Sequence, residues 1–216
     1  MEEIMQQGPR IPYLKPEDMT GEQKAFYDDI LENMGNPNAP HIWRLDEGQI
    51  NGPFTSMLHY PETGYLLYKL QLKIVKQTLI PKDVIETFIL TVVAKEGAAY
   101  GIYAHELLAQ QSGVSPGIVK AIKENRIPEG LQEPFLTVYA LAAALCRPGP
   151  PSQEIYESAV GKFGVCGYNM LVNTAAMFKY LGTLMNAYDE PIPVGENPEG
   201  DEKHGDPAAS VFQTGM

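Results

Sequence analysis

The chain has 216 residues, enough for one full hydrophobic core, and its 16 Lys+Arg against 27 Asp+Glu leave a formal charge of -11. That sign argues against nucleic acid or an anionic membrane surface as a partner. No apolar run reaches spanning length, no basic and apolar leader opens the chain, and Cys146 and Cys166 stand apart without metal-type spacing, so the expectation is a reduced, cytoplasmic setting.

In chain order, Thr20 and Gln23 form a capping-box pattern for a helix that ends near Met34, with Gly35 placed to stop it. Residues 36–54, NPNAPHIWRLDEGQINGPF, then make a connection too long for a plain linker, and Trp43 within it asks for burial. A helix from Pro61 to about Thr78 is expected to turn Leu66, Leu67, Leu70 and Ile74 inward, flanked by Tyr65 and Tyr68. Pro81 opens the next helix, whose Ile85, Phe88, Ile89, Val92 and Val93 make the i, i+3, i+4, i+7, i+8 stripe of an amphipathic segment.

A second arm follows Glu96 and Gly97, carrying Ile102, His105 and Leu108. Ser115 and Pro116 start a short helix, and Pro134 starts an alanine-rich one that stops before Arg147 and Pro148. Ser152 caps another, and a last long helix covers roughly Tyr168 to Tyr188. The pattern is all-α: one domain over 1–193, followed by a polar tail over 194–216 whose GENPEGDEKHGDP stretch buries little apolar surface.

The hairpin around Gly97 carries the chemistry. At about 1.5 Å per residue, Glu86 sits roughly 16 Å from the turn and His105 about 13 Å, so an antiparallel pair of arms brings them within a turn of each other. Both lie beside apolar neighbours, which predicts partial enclosure. A carboxylate hydrogen-bonded to an imidazole fixes its tautomer and raises its basicity, as a general base near neutral pH requires. Structural Glu/His pairs are the commoner outcome of such a pattern.

The run YGIYAHELLAQQSGVSP, from Tyr100 to Pro116, resembles the histidine-bearing helix of the carboxymuconolactone decarboxylase and alkylhydroperoxidase D-like family. Gly52, Pro53, Phe54, His59, Tyr60, Pro61 and Glu62 resemble that family's lead-in to its central helices. Asn186, Ala187, Tyr188, Pro191 and Pro193 resemble its closing segment, so the likeness spans roughly residues 11–195. The resemblance implies an alkylhydroperoxidase D-like helical bundle that assembles as trimers or hexamers. Peroxidase members carry two cysteines, three apart, where this chain has Ala98 and Gly101, whereas their relay glutamate and histidine match Glu86 and His105. Thiol peroxidase chemistry is thereby disfavoured and acid/base chemistry is not. Many non-redox members place a carboxylate at Gly101 and a tryptophan at Ile102, so the decarboxylase-like pattern is also incomplete.

Residues and resemblance together point to a cofactor-free acid/base enzyme for a small carboxylated lactone or polyketide-like substrate. In that reading His105 moves the proton, Glu86 orients it, and Tyr100 donates to the substrate. Tyr103, His59 and Phe54 line the binding site. No two of His41, His59 and His105 have the i, i+4 spacing of helical zinc pairs, and no glycine-rich phosphate loop is present, so neither a metal nor a nucleotide is expected. The rival reading is a non-catalytic ligand-binding or assembly protein of the same fold.

Overall fold

The structure, a computed structural model, describes residues 8–193. The tail expected over 194–216 lies outside them. Within the described residues a 3-10 turn at Pro16–Asp18 is followed by eight α-helices: α1 Gly21–Asn33, α2 Pro53–His59, α3 Pro61–Val75, α4 Lys82–Glu96, α5 Ala99–Gln111, α6 Pro116–Lys123, α7 Phe135–Leu145 and α8 Gln153–Ala187. Extended pairing among them is limited to one isolated bridge, Arg44 to Ile50.

Local chemistry sets most boundaries. The Thr20 hydroxyl accepts from the Gln23 backbone and the Gln23 side chain accepts from the Thr20 N–H, completing the capping box of α1. The Ser115 and Ser152 hydroxyls accept from the Ile118 and Ile155 N–H groups and cap α6 and α8. Gly97, at φ 65°, ends α4 in the left-handed conformation and starts the reversal into α5.

Two expectations need correction. The helix α4 is not amphipathic, because every residue from Val84 to Ala94 is buried. It is the central rod of the molecule, with α5, α6, α7 and α8 packed around it. Its Thr87 and Thr91 hydroxyls meet that burial by donating to the carbonyls four residues back. Second, α3 is rotated from its expected face. Tyr68, Gln71, Leu72 and Ile74 point inward, while Leu66 and Leu70 are 70% and 51% exposed. The winning interaction is an aromatic cluster in which Tyr68 meets Phe26 and Phe54, and its hydroxyl donates to the Asp29 carbonyl.

The helix placed after Ser152 and the long helix expected over roughly Tyr168 to Tyr188 both stand, as two helices that meet at a kink within the span of α8. The hydrogen-bonded run of α8 carries a kink at Gly164, whose φ of 69° and ψ of 173° break the helical path without a Cβ to object. The long connection expected over 36–54 also contains the start of a helix, since Pro53 opens α2.

Candidate active site

Glu86 and His105 face each other across the α4/α5 hairpin. Nδ1 of His105 lies 2.8 Å from Glu86 Oε2, and Lys82, one turn earlier on α4, places Nζ 2.5 Å from Oε1. The carboxylate is 2% exposed, whereas the Lys82 side chain is 63% exposed and keeps its charge near water. Burial alone raises the Glu86 carboxyl, but His105 and Lys82 outweigh it and hold the group below its ordinary value. With Nδ1 donating to that carboxylate, Nε2 of His105 is the basic nitrogen, and it has no hydrogen-bond partner among the described residues. The ring stands edge-on to Phe178 of α8, centroids 4.9 Å apart, which gives the imidazole an apolar wall.

The remaining residues proposed from sequence have different neighbours. The Tyr100 hydroxyl donates to the Ile42 carbonyl at 2.9 Å, with Asn51 Oδ1 at 3.1 Å, so its proton serves protein acceptors. Burial, with the Glu190 charge adding to it, pushes that phenol well above its ordinary value and keeps it neutral. Tyr103 receives the Ile42 N–H on its hydroxyl at 3.0 Å. Together the two tyrosines hold both backbone groups of one loop residue. Phe54 is buried in the aromatic cluster against Tyr68. His59 closes α2, and its Nε2 contacts the Pro12 carbonyl at 2.7 Å. Both belong to the layer of α1, α2 and α3.

Two groups stand out that sequence reasoning did not place in the site. His41, next to the clamped Ile42, has a buried Nδ1 without a hydrogen-bond partner. Burial, with the nearby His105 charge as a second cause and Glu86 opposing, lowers its pKa to about 4. Its loop is cross-braced: Trp43 Nε1 donates to the Asn36 carbonyl, Asn51 Nδ2 to Ile42, and the Asn51 N–H to Trp43. Glu190, just past α8, is buried and accepts from the Gly52 N–H at 2.8 Å and the Tyr13 hydroxyl at 2.9 Å. Burial raises its pKa to about 7 against these hydrogen bonds. A cavity of about 350 Å³ lies on this side, lined by Tyr13, Ile42, Arg44, Asn51 and Pro191.

Ala98 and Gly101, where the sequence resemblance would set a cysteine pair, are buried, and a Cβ on Gly101 would stand 3.1 Å from Met185 Cε and 3.3 Å from Val93 Cγ1. Cys146 and Cys166 are free thiols on other elements. Burial, with Glu96 adding to it, pushes the Cys146 thiol up to about 11, away from the thiolate. Among the described residues no three His, Cys, Asp or Glu side chains are grouped to hold a metal ion, and no helix is long and apolar enough to cross a membrane.

This arrangement is held by a known scaffold. The chain superposes on the alkylhydroperoxidase AhpD core of an uncharacterized peroxidase-related protein from Ralstonia eutropha JMP134 with a TM-score of 0.69. The pair is 11% identical, over 88% of this chain and 95% of that one. The debrominase Bmp8 without ligand gives 0.65 at 15% identity, over 85% and 92%. A cysteine-to-alanine variant of Bmp8 in complex with 2,3,4-tribromopyrrole gives 0.66 at 16% identity, over 86% and 92%. No family model and no curated protein matches the sequence. The fold is the AhpD-like helical fold.

Proposed function

We propose that the protein is a cofactor-free acid/base enzyme in which His105 is the proton-transferring group and Glu86 fixes its tautomer and balances its charge. The observation that carries this reading is the 2.8 Å contact between His105 Nδ1 and a carboxylate sealed from water. A buried carboxylate behind an imidazole favours the imidazolium formed when Nε2 accepts a proton, and the Phe178 wall limits competing hydration. The reaction class is decarboxylation, elimination or isomerisation through an enolate-like intermediate on a small carboxylated lactone or polyketide-like molecule, in a homo-oligomer. That a debrominase with the same fold is in complex with a brominated pyrrole supports a small organic ligand for this scaffold. Tyr100 and Tyr103 take a positioning role, because their hydroxyls hold Ile42.

The test is mass-spectrometric monitoring of wild type and His105→Ala with carboxylated lactones, β-keto acids and aromatic polyketide acids. Loss of carbon dioxide, loss of water or an equal-mass product, seen with wild type only, establishes His105-dependent chemistry and names its type. Equal turnover by the variant sinks the reading. Compounds that raise the Tm of wild type without being turned over indicate a ligand-binding protein instead.

A further inference from the structure

We propose that His41 is the second catalytic residue of this site, a neutral imidazole whose Nδ1–H donates a hydrogen bond to the substrate oxygen on which enolate charge develops. The inference rests on the acid/base reading above and supplies it with a donor in place of Tyr100, whose proton goes to the Ile42 carbonyl. Four observations converge on it.

The Nδ1 atom is buried with no partner, although a buried ring nitrogen is normally hydrogen-bonded. The His41 ring lies within electrostatic reach of both His105 and Glu86. Its place is built: the next residue is gripped by Tyr100 and Tyr103 from the helix that carries His105, and the loop is braced by Trp43 and Asn51. Finally, its basicity is depressed, so the ring is uncharged at pH 7 and acts as a neutral donor.

The step balances without an oxidant or reductant. His105 Nε2 takes a proton from the carbon next to the substrate carbonyl. The C–H electron pair forms the new C=C bond and the carbonyl π pair moves to oxygen, where His41 donates its hydrogen bond. In the decarboxylation variant His105 Nε2 first takes the proton of the substrate carboxylic acid, the C–C bond to the resulting carboxylate breaks, its pair enters the same enolate, carbon dioxide leaves, and His105 returns that proton to carbon. Either way a preorganised donor aimed at the developing oxyanion accelerates the step.

The probe is a series of substituted phenols, whose phenolate oxygen carries charge as an enolate does, and which needs no turnover. In protein with ¹⁵N-labelled histidine, phenolate binding should shift the His41 Nδ1–H signal downfield. His41→Ala and His41→Phe should weaken binding about 10- to 100-fold, and His41→Gln, which keeps an N–H donor, should recover most of it. On any compound that wild type turns over, His41→Ala should lower kcat about 10²- to 10³-fold with KM little changed. Equal phenolate affinity in all four proteins, or an unmoved His41 signal, overturns the proposal. If phenolate binding depends on His41 while His105→Ala turns over substrate as fast as wild type, the base assignment falls and the donor assignment stands.

Discussion

Glu86 on α4 and His105 on α5 are joined at 2.8 Å, and the carboxylate shares its other oxygen with Lys82 at 2.5 Å, so a buried charge at the centre of the bundle is met from two sides. A buried carboxylate supported in this way stabilises the fold only while ionised.

Glu86→Gln should therefore cost stability at pH 7, on the order of 1–3 kcal/mol by chemical denaturation. The sign with pH follows from the lowered carboxyl. The stabilisation is fully present above the ordinary value of 4.5 and is lost as pH falls through the folded value below it. The wild-type advantage over Glu86→Gln should shrink steadily below pH 4.5. An advantage that is constant with pH would show that the carboxylate's charge contributes nothing.

The clamp on Ile42 makes a separate prediction. Tyr100→Phe leaves the Ile42 carbonyl with Asn51 alone, and Tyr103→Phe strips the acceptor from the Ile42 N–H. Each should cost about 1 kcal/mol, and the double variant should raise amide hydrogen exchange over residues 36–51 more than elsewhere. Uniform exchange across the chain would mean that the tyrosines do not hold the loop.

How much of the fold and site is legible in the sequence depends on which physics is local. The capping box at Thr20, the caps at Ser115 and Ser152 and the turn near Glu96 and Gly97 come from backbone chemistry within a few residues, and they stand. The Glu86–His105 contact is readable because a tight turn and a fixed rise per residue convert sequence separation into distance. On α3, apolar periodicity selects Leu66 and Leu70 for the inward face, whereas the tertiary Phe26–Tyr68–Phe54 cluster decides the rotation. His41 and Glu190 carry no periodic signal at all. One sits in a loop shaped by contacts to α5, the other just past a helix end, and only the folded chain brings Glu190 to Gly52 and His41 within electrostatic reach of the central hairpin.

Gly101 and Gly52 mark positions where the backbone leaves no room. At Gly101 a new side chain meets Met185 and Val93, so Gly101→Asp adds both overpacking and a buried charge. At Gly52, with φ of 73°, a Cβ would lie 2.4 Å from the Tyr100 ring. Gly52→Ala should destabilise by more than about 2 kcal/mol through left-handed strain and displacement of the ring that holds Ile42. Thermal unfolding that leaves either variant within a degree of wild type would contradict the packing described.

His41 and Glu190 should shape the pH dependence of stability in opposite directions. The His41 pKa is lowered from 6.5 to about 4, so between those values the unfolded chain binds the proton first and stability falls as pH falls. His41→Gln should flatten that limb, by roughly 2 kcal/mol after allowing for the ring's partial exposure. A limb of unchanged slope would place His41 in water.

Glu190 works the other way, because its carboxyl is raised from 4.5 to about 7. Between those values the folded protein holds the proton that the unfolded chain has released, so stability falls as pH rises through this window. Glu190→Gln keeps an amide oxygen to accept from Gly52 and Tyr13 and has no charge to desolvate. At pH 8 it should be more stable than wild type by on the order of 2–3 kcal/mol, and near pH 4 the two should converge. If the variant is instead less stable than wild type at pH 8, the ionised carboxylate is better paired with Gly52 and Tyr13 than burial allows, and Glu190 is a structural anion instead of a proton held at neutral pH.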